Sequence, residues 1–291
     1  MKQSYLNIAT CYNDTIRIYA CDTTEVCKTA QDLHNLWPTS CAALGRTLTC
    51  ALMMSCMHKA GERITIRING GGPIGQITCE TTYGIVRGYV HNPGVYLTNN
   101  NGKLAVGYGV GNNGLLEVTK DLNLKAPFSS SIELVSGEIA EDFAEYFLKS
   151  EQTSSAVSLG VLFDLEGKVN TAGGYIIQVM PNCEEETISK LENILANIKP
   201  ISKLIEEGNT PTDIINLLSD GEYKLLDRVP LKYECNCSKE RFERGLISLG
   251  EQELDEMINE DKDFDVTCNF CNTKYVFTKD DLIRLKSQIK K

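Results

Sequence analysis

Positive charge is in short supply. Lysine and arginine number 29 against 39 aspartates and glutamates, which leaves a formal net charge of -10 and a sequence pI of about 5.0. As a whole such a chain repels phosphate backbones and anionic lipid, so neither nucleic acid nor membrane is expected among its partners. Long apolar runs are missing as well. The most apolar stretch, Cys41 to Met57, contains Arg46 and several Thr and Ser, and it is too short and too polar to span a bilayer. The N-terminal residues have no apolar run followed by a small-residue cleavage site, so no signal peptide is read and a soluble cytoplasmic protein is expected. Histidine is scarce. His34, His58 and His91 stand at no spacing that singles one out as a ligand, and surface or internally satisfied histidines are the expectation. Nucleotide motifs fail too. Gly109 to Gly114 fits G-x-G-x-x-G, but Leu115 to Lys120 reads as a strand and not as a helix N-terminus able to hold a pyrophosphate, so a glycine-rich hairpin is expected there. Gly70, Gly71 and Gly72 lack the following Lys-Ser/Thr of a phosphate loop. No nucleophile, base or cofactor motif remains to support an enzyme.

What is present divides into three parts, giving an α+β fold class: a strand-rich N-terminal α/β domain over 1–181, an amphipathic helical linker over 182–231, and a small C-terminal zinc-binding domain over 232–291. In the first part, residues 5 to 21 read as strand, and Pro38-Thr39-Ser40 starts a buried helix that Gly61 closes. Ile64, Ile66 and Ile68 alternate strictly, and short strands are expected at 75–80, 84–91, 95–98, 104–110 and 114–120. A helix over 137–149 places Ile139, Phe143, Tyr146 and Phe147 on one face, with Ser136 as its cap. Strands at 156–165 and 169–180 turn at Glu166-Gly167. Residues 127–186 carry 11 acidic against 2 basic residues and read as a solvated face.

The linker reads as three short amphipathic helices. Glu184-Glu185-Glu186 opens the first, Pro200 breaks it, Gly208 stops the second, and Thr210-Pro211 starts the third before Gly221. None is long enough to stand alone, so their apolar faces must pack on something.

The strongest chemical signal lies in the last sixty residues. Cys235 and Cys237 form a C-x-C pair, Cys268 and Cys271 a C-x-x-C pair, and four thiolates in two short clusters suit a closed tetrahedral Zn²⁺ site. Around them Phe242, Leu246, Ile247, Leu249, Leu254, Met257, Ile258, Tyr275, Val276, Phe277, Leu282, Ile283 and Leu285 make a thin core, near the size at which a metal is needed. By spacing alone the site is a permanent structural zinc. Two features open a redox reading: the single residue between Cys235 and Cys237, and the absence of a histidine to take over if two sulfurs are lost. With two neighbouring pairs, oxidation can end in Cys235–Cys237 and Cys268–Cys271 disulfides and loss of the metal. The other eight cysteines (Cys11, Cys21, Cys27, Cys41, Cys50, Cys56, Cys79, Cys183) are scattered and read as small buried hydrophobes. From residue 232 on, 11 Lys and Arg face 13 Asp and Glu, whereas a nucleic-acid ribbon is normally basic.

Tyr233-Glu234-Cys235-Asn236-Cys237-Ser238-Lys239-Glu240-Arg241 and Cys268-Asn269-Phe270-Cys271-Asn272, with Tyr275 following, resemble the redox switch domain of the heat shock protein 33 family. Gly72-Pro73-Ile74-Gly75, Val86-Arg87-Gly88-Tyr89-Val90, Ser136 to Asp142, Ser150-Glu151-Gln152, Leu159-Gly160-Val161 and Ala172-Gly173-Gly174-Tyr175 are similar to that family's N-terminal domain. Gly71 departs from it, standing where an acidic residue is expected. The resemblance implies a redox-regulated, ATP-independent holdase that binds unfolding client proteins and is not an enzyme. It further implies one zinc per chain on Cys235, Cys237, Cys268 and Cys271 when reduced. Oxidation and heat would release the zinc, unfold domain and linker, expose apolar surface and yield an active homodimer. The alternative from residues alone is a zinc-ribbon adaptor with a permanent structural zinc, binding nucleic acid or a protein.

Overall fold

The computed structural model describes residues 3–260 and 262–289. The chain divides into two units, one running to Glu234 and the other from Cys235. The first opens with a hairpin, β1 (Tyr5–Cys11) and β2 (Ile16–Asp22), followed by α1 (Thr24–His34) and α2 (Pro38–Ser55). Proline at the first turn of α2 removes an N–H that has no helical partner anyway. Sixteen of the 18 residues of α2 are buried. A helix apolar on all sides must be enclosed, and α2 lies against β4 (Ile77–Thr82) and β5 (Ile85–Val90) as well as β8 (Ser155–Phe163) and β9 (Val169–Val179), strands of two different sheets.

One sheet has five antiparallel strands in the order β10-β1-β2-β9-β8, with β10 spanning Tyr223–Pro230. The other has the order β11-β5-β4-β3-β6-β7, with β3 at Arg63–Asn69, β6 at Leu115–Asp121, β7 at Phe128–Glu133 and β11 at Lys232–Tyr233. It is antiparallel except that β11 runs parallel to β5. The alternation of Ile64, Ile66 and Ile68 is realised: all three are buried while Arg63, Arg67 and Asn69 face solvent.

Two expected strands are absent. Residues 95–98 contribute a single bridge, Thr98 to Leu104, and 104–110 hold a short helix, α3 (Val106–Val110). The buried Val106, Gly109 and Val110 stand at helical spacing, a face hidden within a β-rich composition. The carbonyls of α3 accept N–H bonds from the glycine turn: Gly72 donates to Val110 O at 2.9 Å and Ile74 to Gly109 O at 2.9 Å. A Cβ at Gly72 would lie 2.5 Å from Gly109 O, so only glycine permits this approach. Gly109 to Gly114 therefore connects a helix to a strand; the expected hairpin is not formed, and no helix follows it to hold a pyrophosphate.

Helix α4 (Ala140–Ser150) buries Phe143, Tyr146 and Phe147, with Ile139 just before it buried too. Ser136 is not its cap. Ile139 precedes the first turn at φ 74°, and the Asp142 carboxylate gathers the N–H groups of Val135 (2.8 Å), Ser136 (3.1 Å), Gly137 (3.3 Å) and Ile139 (2.9 Å). Asp142 is thus buried within the stretch expected to be a solvated face.

The three linker helices are α5 (Glu185–Asn197), α6 (Ile201–Glu206) and α7 (Pro211–Leu218). Thr210 and Asp213 form a reciprocal cap for α7, with Thr210 N–H donating to Asp213 Oδ2 at 2.8 Å. Leu191, Ile201, Leu204, Ile205, Ile214, Ile215 and Leu218 are buried against Ala9, Ile16, Ile18, Tyr175 and Ile177 on one face of the five-stranded sheet. The opposite face belongs to the main core with α2 and α4. The linker does not stay helical to residue 231: β10 returns to pair with β1 from Tyr5↔Pro230 to Cys11↔Tyr223.

The second unit contains α8 (Lys239–Leu249), α9 (Glu251–Asn259), a hairpin of β12 (Phe264–Thr267) and β13 (Lys274–Phe277), and α10 (Lys279–Ile289). Among the described residues its core is five buried side chains, Leu246, Leu254, Phe277, Leu282 and Leu285, with partly buried neighbours packed against them. Leu249, Val276 and Ile283, expected inside, are about half exposed, because each falls on the outward side of its helix or strand.

Candidate metal centre

The two cysteine clusters reach one place from different local structures. Cys235 and Cys237 sit on extended backbone just before α8, whose cap Ser238 accepts the Arg241 N–H at 3.4 Å. Arg241 also reaches back to Asn236 Oδ1 at 2.7 Å, holding the residue between the two thiols. Cys268 and Cys271 lie in the turn joining β12 to β13. That turn is closed by Cys268 N–H to Thr273 O (2.9 Å) and Asn272 N–H to Cys268 O (2.8 Å), with Asn272 at φ 56°.

All four Sγ atoms lie within 4.8 Å of one another, and among the described residues theirs is the metal-competent cluster of His, Cys, Asp or Glu side chains. Cys235 Sγ is 3.8 Å from Cys268 Sγ, and Cys237 Sγ is 3.3 Å from Cys271 Sγ. A regular tetrahedron with Zn–S bonds of about 2.3 Å has an edge of about 3.8 Å. The donor set and its spacing therefore fit a Zn²⁺ ion, and the four free thiols stand where the sequence expects ligands. Cys268 is buried, while Cys235, Cys237 and Cys271 are partly exposed.

The sulfurs are not equivalent. Burial raises the Cys268 thiol to about 12 and also raises Cys237. Burial works the same way on Cys271 but is outweighed by the Thr273 hydroxyl and backbone N–H and by the thiols of Cys237 and Cys268, which bring it down to about 7. The Thr273 hydroxyl is 3.2 Å from Cys271 Sγ, and the Tyr275 hydroxyl is 3.1 Å from Cys237 Sγ. Tyr275 in turn packs on Phe242, their ring centroids 5.0 Å apart. Thr273 and Tyr275 are the site residues whose contact with sulfur the spacing did not reveal; the available signal was their position two and four residues beyond Cys271.

Seven of the other cysteines lie buried in the first unit, and burial raises every one of those thiols, Cys11 and Cys27 to about 12. They are small hydrophobes, as expected; Cys183 alone of the eight is partly exposed. The histidines are also as expected: the His34 ring is 3.1 Å from the Tyr233 hydroxyl, His58 is 3.5 Å from Glu62, and His91 is exposed. No helix among the described residues is long and apolar enough to cross a membrane.

The family model described as Hsp33 protein matches residues 4–278. A relative named 33 kDa chaperonin, from Bacillus licheniformis, is 47% identical over 287 residues, covering 98% of this chain and 99% of its own length. The protein of the same name from Bacillus subtilis is 44% identical over 286 residues, 98% of each chain. Among solved structures, the 33 kDa chaperonin of Thermotoga maritima, described as a heat shock protein 33 homolog, superposes over 100% of both chains with a TM-score of 0.92 and 36% identity. With sequence likeness along almost the entire length, the same fold, and a sulfur cluster where the C-x-C and C-x-x-C pairs place it, the chain belongs to the Hsp33 family.

Proposed function

We propose that this chain is a redox-regulated, ATP-independent holdase chaperone that binds unfolding proteins and prevents their aggregation under oxidative and heat stress. The observation that carries the reading is the gathering of four sulfurs in a unit whose own core is only five buried apolar side chains. The relatives' name, 33 kDa chaperonin, supports the chaperone class.

Cys235, Cys237, Cys268 and Cys271 hold one Zn²⁺ per chain in the reduced form. When bound, the ion keeps all four sulfurs as thiolates and cross-links the two clusters. The rest is the chemistry of the chain. Hydrogen peroxide takes two electrons from Cys235 and Cys237, which join in one S–S bond, and a second peroxide does the same to Cys268 and Cys271. Each peroxide is reduced to two waters, taking up two protons. Each disulfide withdraws two ligands, and no histidine stands in the cluster to replace them. What remains of the switch domain 232–291 is below the size at which a single thin core holds.

Loss of order there is passed to the linker 182–231. Its helices are six to 13 residues long, too short to persist without packing. Their release bares Ile201, Leu204, Ile205, Ile214, Ile215 and Leu218 together with the sheet face of domain 1–181 that they cover. That surface takes up apolar segments of unfolding clients, and the active oxidised form is a homodimer in the cytoplasm.

The test follows client aggregation by light scattering while zinc is measured in the same cuvette. Peroxide at raised temperature should release one zinc per chain before suppression of aggregation begins, and thiol reductant with zinc should reverse both. Equal suppression by the reduced, zinc-loaded protein would overturn the switch.

A further inference from the structure

Between the α1–α2 corner, the loop carrying Tyr96 and the β8–β9 turn lies an open cleft of about 630 Å³. It is built wholly from residues 31–168, apart from both the cysteine quartet and helices α5 to α7. Its apolar lining is unusually bare. Trp37 and Tyr96 each expose 56% of their surface, and Leu165 at the tip of the turn is fully exposed. Large apolar side chains gathered in solvent mark interaction surfaces more often than accidents.

Two polar side chains of the lining are tied into the wall itself. The Gln31 amide donates to Gly167 O at 2.8 Å and accepts from Val169 N–H at 3.0 Å. The Asp164 carboxylate accepts from the backbone N–H groups of Glu166 and Lys168, both at 2.9 Å. Left facing outward are two aromatic faces and a leucine, rimmed by Asp32, Asp164 and Glu166 against one cation, Lys168, itself 3.7 Å from Asp32. Exposed aromatic rings next to surplus carboxylates favour a partner that is both apolar and cationic.

We propose that this cleft is a standing capture site for an extended segment of unfolded polypeptide in which an aromatic or aliphatic residue adjoins lysine or arginine. The partner class rests on the chaperone reading above, but the cleft is open with the quartet assembled, so capture does not wait for oxidation. It gives weak, charge-selective first contact; holding the client needs the larger surface under the linker.

Trp37 is the chain's only tryptophan, so its emission reports the cleft directly. The full-length reduced protein is titrated with a tryptophan-free peptide carrying Phe, Leu and Lys, and with its Lys→Glu counterpart. The expected result is a saturable emission change with the cationic peptide and binding about fivefold weaker for the acidic one, the scale of exposed charge pairs. Replacing Tyr96 and Leu165 by Ala, both exposed and so tolerated by the fold, should weaken the cationic peptide about tenfold, as expected when apolar anchors are lost. Glu166→Lys should reduce or invert the charge preference. No saturable response, or a response indifferent to peptide charge and to all three substitutions, would overturn the proposal. Aggregation scattering with oxidised protein separates the two readings: peptide binding without any suppression overturns the chaperone and leaves the cleft, whereas suppression without peptide response does the reverse.

Discussion

Asp281 ties two helices of the small unit together. Its carboxylate takes the Lys239 ammonium at 2.9 Å and the Thr278 N–H at 3.3 Å, tying the start of α10 to α8, and these contacts hold it down at about 2. A carboxyl depressed in the folded state adds stability that is complete above its unfolded value of about 4 and is lost as pH falls through its folded one. The second unit should therefore lose stability between about pH 4 and pH 2, and Asp281→Asn should flatten that dependence; urea unfolding followed across the range checks it. The cysteines teach the complementary lesson about reading a sequence. That the quartet would gather in one place was legible, because short, paired spacing is what a metal-competent cluster needs, and the buried seven because scattered thiols in an apolar context are core residues. Thr273 and Tyr275 were not read as partners of sulfur, since a contact made through the curl of a turn leaves no periodic trace.

Among elements, those with a strong internal period were legible: α2, the β3 alternation, the β8–β9 hairpin and the three linker helices all stand where patterning puts them. The misses have a common physical cause. Strand β7 reads Phe-Ser-Ser-Ser-Ile-Glu and earns its place only by pairing with β6, while β10 mixes charge and leucine and is fixed by β1, more than two hundred residues earlier. Long-range pairing decides both, and no local window contains it. Helix α1, with five buried residues of 11 and no side-chain cap, is likewise held by its neighbours. The docking of α6 has a sharp local requirement. A Cβ on Gly173 would run into both Cys21 O and Ile205 Cδ1, so this helix sits flush on the sheet because the strand beneath it has no side chain there. Gly173→Ala should push α6 outward and raise the binding of an apolar dye by the reduced protein, without oxidant. Unchanged dye binding with unchanged thermal stability would show that the linker seat is more forgiving than this.

At the scale of the whole molecule, the first unit has two sheets and a large core, whereas the second has, among the described residues, five buried apolar side chains and a sulfur cluster. Chelation of zinc under reducing conditions should therefore remove amide-exchange protection from α8, α9 and α10 while β1, β2 and β9 keep theirs, a difference that mass spectrometry of peptic fragments resolves. Protection lost everywhere at once, or nowhere, would contradict such a division of stability. The return of β10 to the edge of β1 adds something to this. Helices α5 to α7 leave the five-stranded sheet from β9 and rejoin it at β10, so the stretch between them is moored at both ends. As long as β10 stays paired, undocking these helices makes a closed loop of about forty residues and not a free tail, and the entropy of such a loop grows only with the logarithm of its length. Re-docking is then a search confined to a few tens of ångströms, a protease that cuts the loop once leaves two fragments still joined through the β1–β10 ladder, and nicked protein should co-purify as a single species.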